Sequence, residues 1–137
     1  MPWGDGPNGG FSTARPWLRM APDVESRTVA IQDRDPSSVL NAYRKLLWLR
    51  RRHPALQVGT YRRLAAGSRN LFAFERATSD EVIMVAVNFT STPTDLRVPT
   101  GSRWEVLFDT HDRTTVQVSS GDQLKLGPHE AVILLAD

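Results

Sequence analysis

The chain contains no cysteine and, among its 17 lysine and arginine residues, only two lysines. Without cysteine it forms neither a disulfide framework nor a thiolate metal site. The formal net charge of +2 and the lack of a basic stripe with interleaved aromatics argue against a nucleic-acid partner. No apolar run is long enough to cross a membrane or to act as a secretory signal, so we expect no membrane association and a cytoplasmic location.

Signatures of cofactor and nucleophile chemistry are also missing. The sequence holds no phosphate-binding loop, dinucleotide fingerprint or Gly-x-Ser-x-Gly motif. His111 lies in the one segment of mixed ligand types, residues 109–113, but these residues are consecutive and a polar turn is favoured over a metal site. The acidic residues fall mostly in predicted turns rather than in a pair that flanks a glycosidic bond. We therefore predict no catalytic residue, metal or cofactor.

Residues 35–56 carry the signals of one helix with both ends marked. Asp35 is the predicted N-cap and Pro36 the first helical residue, and Pro54 ends the helix because it biases His53 away from helical dihedrals. The apolar positions recur at helical spacing. They predict a core-facing stripe made of Val39, Leu40, Tyr43, Leu46 and Leu47.

Two further residues of this helix complicate the simple stripe. Arg50 falls in line with it, which predicts a buried stem and a guanidinium paired with a carboxylate. Trp48 points the opposite way, among polar neighbours. We therefore predict that the helix is packed on two sides.

Residues 1–34 show neither helical nor strand periodicity and are rich in glycine and proline. They nevertheless carry more large apolar groups than a flexible tail usually holds. These groups are Trp3, Phe11, Trp17, Leu18 and Met20. The favoured interpretation is a loop that docks on a surface this chain lacks, and the alternative is a loop that wraps over its own core.

From residue 59 onward, short strand patterns alternate with turn residues. The predicted strands are residues 61–64, 71–76, 81–89, 94–98, 104–108, 115–118, 123–126 and 131–135, with a turn at 66–70. The apolar run in 81–89 indicates a central strand covered on both faces, so the glycosylation sequon at 88–90 is expected to be accidental. Trp104, Val106 and Phe108 are predicted to point inward. The fold class is mainly β, an antiparallel sandwich of meander or Greek-key order, preceded by a long loop and one helix.

Three ordered motifs resemble bacterial alpha-glucosidases of the alpha-amylase family. Residues 1–11, Met-Pro-Trp-Gly-Asp-Gly-Pro-Asn-Gly-Gly-Phe, resemble that family's Pro-Met-Gln-Trp-Asp-Asp-Ser-x-Asn-Ala-Gly-Phe, and the Pro-Trp-Leu of 16–18 resembles the Pro-Trp-Ile/Leu that follows. Residues 35–56 are similar to the last barrel helix. The Val-Ala-Val-Asn-Phe of 85–89 resembles the Val-Val-x-Asn-Phe of the C-terminal sandwich. The group with these motifs includes oligo-1,6-glucosidase, alpha-glucosidase, trehalose synthase and sucrose isomerase.

This resemblance implies a C-terminal fragment of a larger glycosidase. Residues 1–34 would be the final loop of a (β/α)8 barrel, 35–56 its last helix, and 57–137 the C-terminal sandwich domain. The family's catalytic carboxylates come from earlier strands and have no counterpart here. The resemblance implies that Trp3, Asp5 and Phe11 lie at the active-site rim, although Gly4 and Gly6 replace the family's Asp and Ser.

The implied partners are the catalytic barrel of the parent chain and, through it, an alpha-glucoside substrate. The implied interdomain contact uses the helix, through the five stripe residues together with Trp48 and Arg50. Two other functions stay open. A carbohydrate-binding module would use Trp3, Trp17 or Trp104, of which Trp104 is predicted to be core, and a dimerisation module would self-associate through the exposed stripe.

Overall fold

The computed structural model describes residues 1–65, 68–111, 113 and 117–137. Contacts between residues group them into two compact units, Met1–Leu46 and Leu47–Asp137, with the division inside a helix. Within the described part of the chain, no helix combines the length and apolar character that a membrane crossing requires.

The first unit holds little regular structure. Two short 3-10 turns, Pro7–Gly10 and Val24–Arg27, precede the helix α1 (Val29–Arg34). Thr28 caps α1, because its hydroxyl accepts a hydrogen bond from the amide of Ile31 at 3.3 Å. The prediction of residues 1–34 as a loop without helix is therefore wrong over α1. A six-residue helix is too short to show apolar periodicity in the sequence.

The first unit also lacks an apolar core of its own. Its only buried residues are Thr28 and Ser38, and every buried apolar side chain among the described residues lies at position 55 or beyond. Large apolar side chains are instead exposed, including Met1, Trp3, Phe11, Trp17, Leu18, Ile31, Val39 and Tyr43. A unit of this composition has no internal means of removing these groups from water.

The central helix, α2 (Val39–Arg52), begins later than predicted. Ser38 is its N-cap, since its hydroxyl accepts from the amide of Asn41 at 3.2 Å. The predicted cap, Asp35, instead accepts from the amide and the hydroxyl of Ser37 at 2.9 and 2.7 Å. These bonds, the hydroxyl first, lower the pKa of Asp35. Asp35 and Pro36 thus form a turn before the helix rather than its first residues.

The predicted stop at Pro54 is confirmed, because His53 adopts an extended conformation with φ −113° and ψ 104°. The chain does not leave helical structure at Leu56, however. Pro54 is the first residue of a second short helix, α3 (Pro54–Val58), where its missing N–H costs nothing.

In the described part of the second unit, eight strands form two sheets. A six-stranded sheet has the order β1-β2-β3-β8-β5-β6, and β4 pairs with β7 alone; all pairs are antiparallel. The strands are β1 (Thr60–Arg63), β2 (Leu71–Ala77), β3 (Val82–Asn88), β4 (Thr94–Arg97), β5 (Trp104–Asp109), β6 (Gln117–Val118), β7 (Gln123–Leu126) and β8 (Ala131–Ala136). Residues 66–67 of the predicted turn and 115–116 of the predicted sixth strand lie outside the described residues.

The two sheets share one apolar core. The six-stranded sheet supplies Met84, Trp104 and Leu134, and the small sheet supplies Leu96 and Leu126; all are at most 3% exposed. Side chains at alternate positions of both sheets interdigitate in this layer, which is the packing of a sandwich. The predicted fold class, a mainly β antiparallel sandwich, is confirmed, as is the core position of Trp104.

One strand changes face part-way along. Val106 pairs with Leu134 and Phe108 pairs with Ile133, so a β-bulge lies between Val106 and Phe108. The extra residue inverts the alternation, because side chains alternate with a period of two. Phe108 therefore points outward with Ile133, and the prediction that it points inward with Trp104 is wrong.

Candidate functional site

The apolar stripe of α2 lies largely in solvent. Val39, Tyr43 and Leu47 recur every four residues, so they share one face, and each is more than half exposed. Leu40 and Leu46 are half-buried. Contiguous exposed apolar groups are typical of contact surfaces. The structure thus shows an available surface, and its interdomain role stays a prediction.

The other two predicted contact residues of α2 are also exposed. The guanidinium of Arg50 donates to the carbonyl of Leu56 at 2.7 Å. The prediction that Arg50 has a buried stem and a carboxylate partner is therefore wrong for the described residues. Leu56 lies in α3, so this bond links the C-terminal end of α2 to the next helix. Trp48 is exposed, and the guanidinium of Arg51 lies 5.3 Å from the centre of its ring.

The predicted rim residues lie on a tightly constrained loop. The amides of Trp3 and Gly4 both donate to the carbonyl of Gly9, at 2.5 and 3.0 Å. Asn8 and Gly9 have positive φ, 55° and 69°, and a Cβ at Gly9 would lie 2.8 Å from the Cβ of Pro2. Glycine is thus required there by both the dihedral angle and the close approach.

This loop holds its apolar side chains outward. Trp3, Asp5 and Phe11 are all exposed, and Trp17 is 91% exposed. The carbonyls of Pro2 and Trp3 accept hydrogen bonds from the first amides of α1, which fixes the backbone while the side chains remain free. The structure places the three predicted rim residues on one ordered segment and leaves their role as a prediction.

In the second unit, the six-stranded sheet carries apolar residues on both of its faces, although Arg76 and Glu105 share the face opposite the core. The register pairs Phe74 with Val85 and Val85 with Ile133, so these residues share the face opposite the core. We call this set the outer apolar face. Its members are Phe72, Phe74, Ile83, Val85, Val87, Phe108, Ile133 and Leu135. The prediction of a β3 with apolar groups on both sides therefore agrees with the register.

The helix α3 covers one end of the outer apolar face. Ala55 of α3 and Ile83 of β3 are both 0% exposed. Glu81 connects α3 to the sheet. Its carboxylate accepts a hydrogen bond from the amide of Ala55 at 2.6 Å and lies 2.9 Å from Nδ1 of His53. Arg76 adds a bond from Nε to the carbonyl of Ala55 at 3.2 Å. The end of the sheet and the start of α3 are thus joined by several polar contacts.

The outside of the two-stranded sheet has the opposite character. Asp95, Arg97, Gln123 and Lys125 are exposed, and the register places Asp95 opposite Lys125 and Arg97 opposite Gln123. This alternation of inward apolar residues with outward polar residues is typical of a sheet that faces water on one side. The outer side of the two-stranded sheet is therefore polar, whereas the outer side of the six-stranded sheet is mainly apolar.

An ionic cluster with two buried carboxylates, Asp109 and Glu130, lies near β5 and β8. The Nε of Arg113 lies 2.5 Å from Asp109 Oδ2 and 2.7 Å from Glu130 Oε1. The N–H on Nε donates to Glu130, so within the described residues Asp109 Oδ2 has an ionic contact with Arg113 but no hydrogen bond. Nδ1 of His111 lies 3.6 Å from Glu130, and the amide of Gly127 donates to Glu130.

The pKa values of the two carboxyls in this cluster are shifted in opposite directions. Burial, with the neighbouring Glu130, raises the pKa of Asp109. Burial alone would also raise the pKa of Glu130, but the hydrogen bonds from Gly127, Asp109 and Arg113 outweigh it and lower that pKa. The pair is bound to arginine and backbone, so it acts as an anchor between loops. Across the described ranges, no three histidine, cysteine or acidic residues are grouped as metal ligands.

The asparagine of the glycosylation sequon at 88–90 is buried and makes hydrogen bonds within the fold. Asn88 is 0% exposed, and its amide donates to the carbonyls of Thr92 and Gly127 at 2.8 and 2.7 Å. Its oxygen accepts from the amide and hydroxyl of Thr90 at 3.0 and 2.8 Å. Because both amide hydrogens are bonded in the folded state, Asn88 is no acceptor for a glycan there.

Comparison with known proteins identifies the family to which this chain belongs. Residues 61–133 match the family model described as maltogenic amylase, C-terminal domain, which is more than half of the chain, and residues 1–59 match alpha amylase, catalytic domain. The chain belongs to the alpha-amylase family. The resemblance drawn from the three sequence motifs is thus confirmed.

Relatives of this alpha-amylase-family chain are much longer. It is 29% identical to oligo-1,6-glucosidase of Halalkalibacterium halodurans over 138 residues, 98% of this chain and 24% of that protein. It is 34% identical to a probable alpha-glucosidase of Rhizobium meliloti over 72% of this chain and 18% of that protein. The structure of trehalulose synthase MutB from Pseudomonas mesoacidophila superposes with a TM-score of 0.88 at 30% identity, covering 99% of this chain and 24% of MutB. The chain therefore spans about a quarter of the length of relatives it matches.

Sequence reasoning missed the residues that join the elements of this alpha-amylase-family chain. Glu81 binds His53 and Ala55 from 28 and 26 positions away, and no local pattern signals such a pair. The sequence predicts a polar turn around Arg113 and does not indicate that its guanidinium pairs with Glu130. The signal for the outer apolar face was visible in part, as the continuous apolar run of β3.

Proposed function

We propose that this chain is the non-catalytic C-terminal portion of an alpha-glucosidase-like enzyme acting on alpha-glucosides. Its role is to support the (β/α)8 barrel that carries the chemistry. Under this proposal the chain acts in the cytoplasm and, taken alone, leaves alpha-glucosides uncleaved.

The observation that carries the proposal is the missing core of the first unit. Residues 1–46 bury no apolar side chain and expose large ones, such as Trp17 and Tyr43. Conformational entropy opposes the ordering of such a segment unless apolar burial compensates for it. A barrel supplies that burial, and the match of residues 1–59 to a catalytic-domain model supports this partner.

Two sets of residues have roles under this proposal. Contact with the barrel involves α2 through Val39, Leu40, Tyr43, Leu46, Leu47, Trp48 and Arg50. The active-site rim receives Trp3, Asp5 and Phe11. The constrained backbone around Gly9 supports the second role, because it presents these side chains from a rigid loop.

Sequencing the DNA upstream of the Met1 codon tests the proposal. A reading frame that continues in phase and encodes barrel strands with catalytic carboxylates is the expected result. A stop codon followed by a ribosome-binding site immediately upstream would refute it, and binding or assembly would become the leading function.

A carbohydrate-binding module is the second candidate, because Trp17 is 91% exposed and Trp3 is also exposed. Exposed tryptophans stack on sugar rings. Titration of the tryptophan fluorescence of the chain with maltose separates the candidates. A saturable change that is lost in Trp17→Ala would favour the binding module, and no change would leave the structural role.

A further inference from the structure

We propose that Asn8 is a site of spontaneous deamidation, which the closed loop of residues 2–14 suppresses and which opening of that loop permits. The reacting group is the side-chain amide of the chain itself, and the co-reactant is water. This inference is independent of the proposed function, because it requires no contact outside residues 1–46.

The sequence supplies the first argument. Deamidation begins when the backbone nitrogen of the following residue attacks the side-chain carbonyl carbon of an asparagine. Asn8 is followed by Gly9, whereas the other three asparagines of the chain precede alanine, leucine and phenylalanine; these are Asn41, Asn70 and Asn88. Glycine has no Cβ to obstruct the attack, and its backbone rotates more freely than that of any other residue. The sequence thus singles out Asn8.

The reaction balances with water alone. A bond forms between the backbone nitrogen of Gly9, which gives up its proton, and Cγ of Asn8. The bond from Cγ to Nδ2 breaks, and Nδ2 leaves as ammonia after taking up a proton. Water then opens the five-membered succinimide at either carbonyl, which yields aspartate or isoaspartate at this position. Both products add one carboxylate to the loop.

The closed loop opposes this reaction in two ways. Nδ2 of Asn8 donates to the carbonyls of Ser12 and Ala14, at 2.6 and 2.8 Å. The backbone of Asn8 has ψ 35°, which places the nitrogen of Gly9 across the Cα–C bond from the side chain, whereas ring closure needs both on the same side. The side chain must be released and the backbone must rotate before the atoms can meet, so the reaction requires the loop to open.

The first unit has little to keep this loop closed. Residues 1–46, which the structure describes in full, bury no apolar side chain. Hydrogen bonds hold the loop instead, such as those from the amides of Trp3 and Gly4 to the carbonyl of Gly9. Segments with few buried apolar contacts open locally at a low cost in free energy. We therefore expect openings that are frequent enough for Asn8 to react in the intact chain.

The product cannot restore the closed loop. A carboxylate accepts hydrogen bonds but does not donate them, so it loses both bonds that Nδ2 of Asn8 makes to the carbonyls of Ser12 and Ala14. Its negative charge would also face those two carbonyl oxygens. Each deamidation thus records one opening of the loop and leaves the loop less ordered.

Peptide mapping by mass spectrometry tests the inference. The intact chain is incubated at mildly alkaline pH, and conversion of amide to carboxyl is followed at each asparagine. A synthetic peptide of residues 5–14 gives the rate without the fold. The test variant is Ser12→Ala, because the hydroxyl of Ser12 accepts from the amide of Ala14 at 3.0 Å and thereby helps to position the carbonyls that hold Asn8. The matched control is Ser26→Ala, whose hydroxyl bonds to the carbonyl of Asp23 instead.

We expect Asn8 to be the first asparagine modified. Its rate in the intact chain should be about thirtyfold below that of the peptide, because opening breaks two side-chain hydrogen bonds. Ser12→Ala should raise the rate about fivefold, as expected for the loss of one bond, and Ser26→Ala should leave it unchanged. The comparison with the peptide needs no variant, so it remains decisive if Ser12→Ala unfolds the first unit.

Limited proteolysis tests the state of the loop after the reaction. Asn8→Asp reproduces one product and should increase cleavage within residues 1–14 by about thirtyfold, since cleavage follows the population of the open loop. Asn70→Asp introduces the same charge at an exposed position and should leave this cleavage unchanged.

Three results would overturn the inference. A rate at Asn8 no higher than that at Asn70 would show that Asn8 is not a preferred site. A rate equal to that of the peptide, or equal rates in Ser12→Ala and Ser26→Ala, would show that the loop does not control the reaction. Equal cleavage of Asn8→Asp and Asn70→Asp would show that the product leaves the loop closed.

Discussion

Replacing Asn88 with alanine should lower the free energy of unfolding of the sandwich by about 3 kcal/mol. The side chain makes four hydrogen bonds, from Nδ2 to the carbonyls of Thr92 and Gly127 and to Oδ1 from the amide and hydroxyl of Thr90. At about 0.5–1.5 kcal/mol each, four bonds are worth roughly 2–6 kcal/mol. Thr92 is exposed and its carbonyl can regain water, which places the expected loss in the lower half of that range.

Urea unfolding followed by circular dichroism measures this loss. For a domain of this size, 3 kcal/mol corresponds to a decrease in Tm of about 12–24 °C. Asn70→Ala, at an exposed position in the turn before β2, is the control and should change stability by less than about 0.5 kcal/mol. Asn88→Asp should cost at least as much as alanine, because a carboxylate cannot donate to the two carbonyls. A loss below about 1 kcal/mol in Asn88→Ala would refute the reasoning.

Three further changes probe other parts of the chain. Glu81→Ala removes the cap of α3 and its bond to the preceding histidine, and should lower the free energy of unfolding by about 2 kcal/mol in urea. Folding raises the pKa of Asp109, so the folded state binds the proton of this carboxyl more tightly than the unfolded state does. Asp109 therefore stabilises the fold at low pH, and this contribution is lost as the pH rises through the raised pKa. Asp109→Asn should therefore gain stability relative to wild type as the pH increases from about 4 to about 7, as measured by thermal unfolding across that range. Gly9→Ala should loosen the first unit and increase cleavage of residues 1–46 in limited proteolysis, since its Cβ would lie 2.8 Å from that of Pro2.

Matched variants make these outcomes decisive. Asp80→Asn, at an exposed carboxyl beside Glu81, is the matched control for Asp109→Asn; a similar effect in both aspartate variants would contradict the role given to Asp109. Gly4→Ala places a Cβ with nothing within 4 Å, so it should leave proteolysis unchanged. Unchanged stability in Glu81→Ala would show that α3 is held by its apolar contacts alone.

The strands were predictable because their signals are local. Glycine or proline lies in most of the connections between strands, and Pro54 marks the end of α2. The start of α2 was not predictable in the same way, since Asp35, Ser37 and Ser38 are all good cap residues. Competition among their hydrogen bonds decides which one caps the helix, and that depends on a turn the sequence does not reveal.

The remaining differences arise from contacts between distant segments. The bulge before Phe108 is defined by pairing with β8, so the outward orientation of that ring cannot be read from β5 alone. For Arg50 the sequence correctly signalled that the guanidinium needs a partner, but the nearest acceptor is the carbonyl of Leu56. The rim and interdomain roles stay predictions, because they concern contacts with a proposed barrel rather than contacts within this chain.

The attachment of α3 has a practical consequence for anyone who recombines enzymes of this type. By sequence, the border between the two matched families falls near residue 60, which is where a domain graft would ordinarily be joined. Glu81 and Arg76 nevertheless bind the backbone of Ala55, upstream of that border. A joint made at residue 60 would give the transplanted sheet a foreign helix and leave two charged side chains facing carbonyls and amides they did not evolve with. Placing the joint before His53 keeps helix and sheet as one inherited piece.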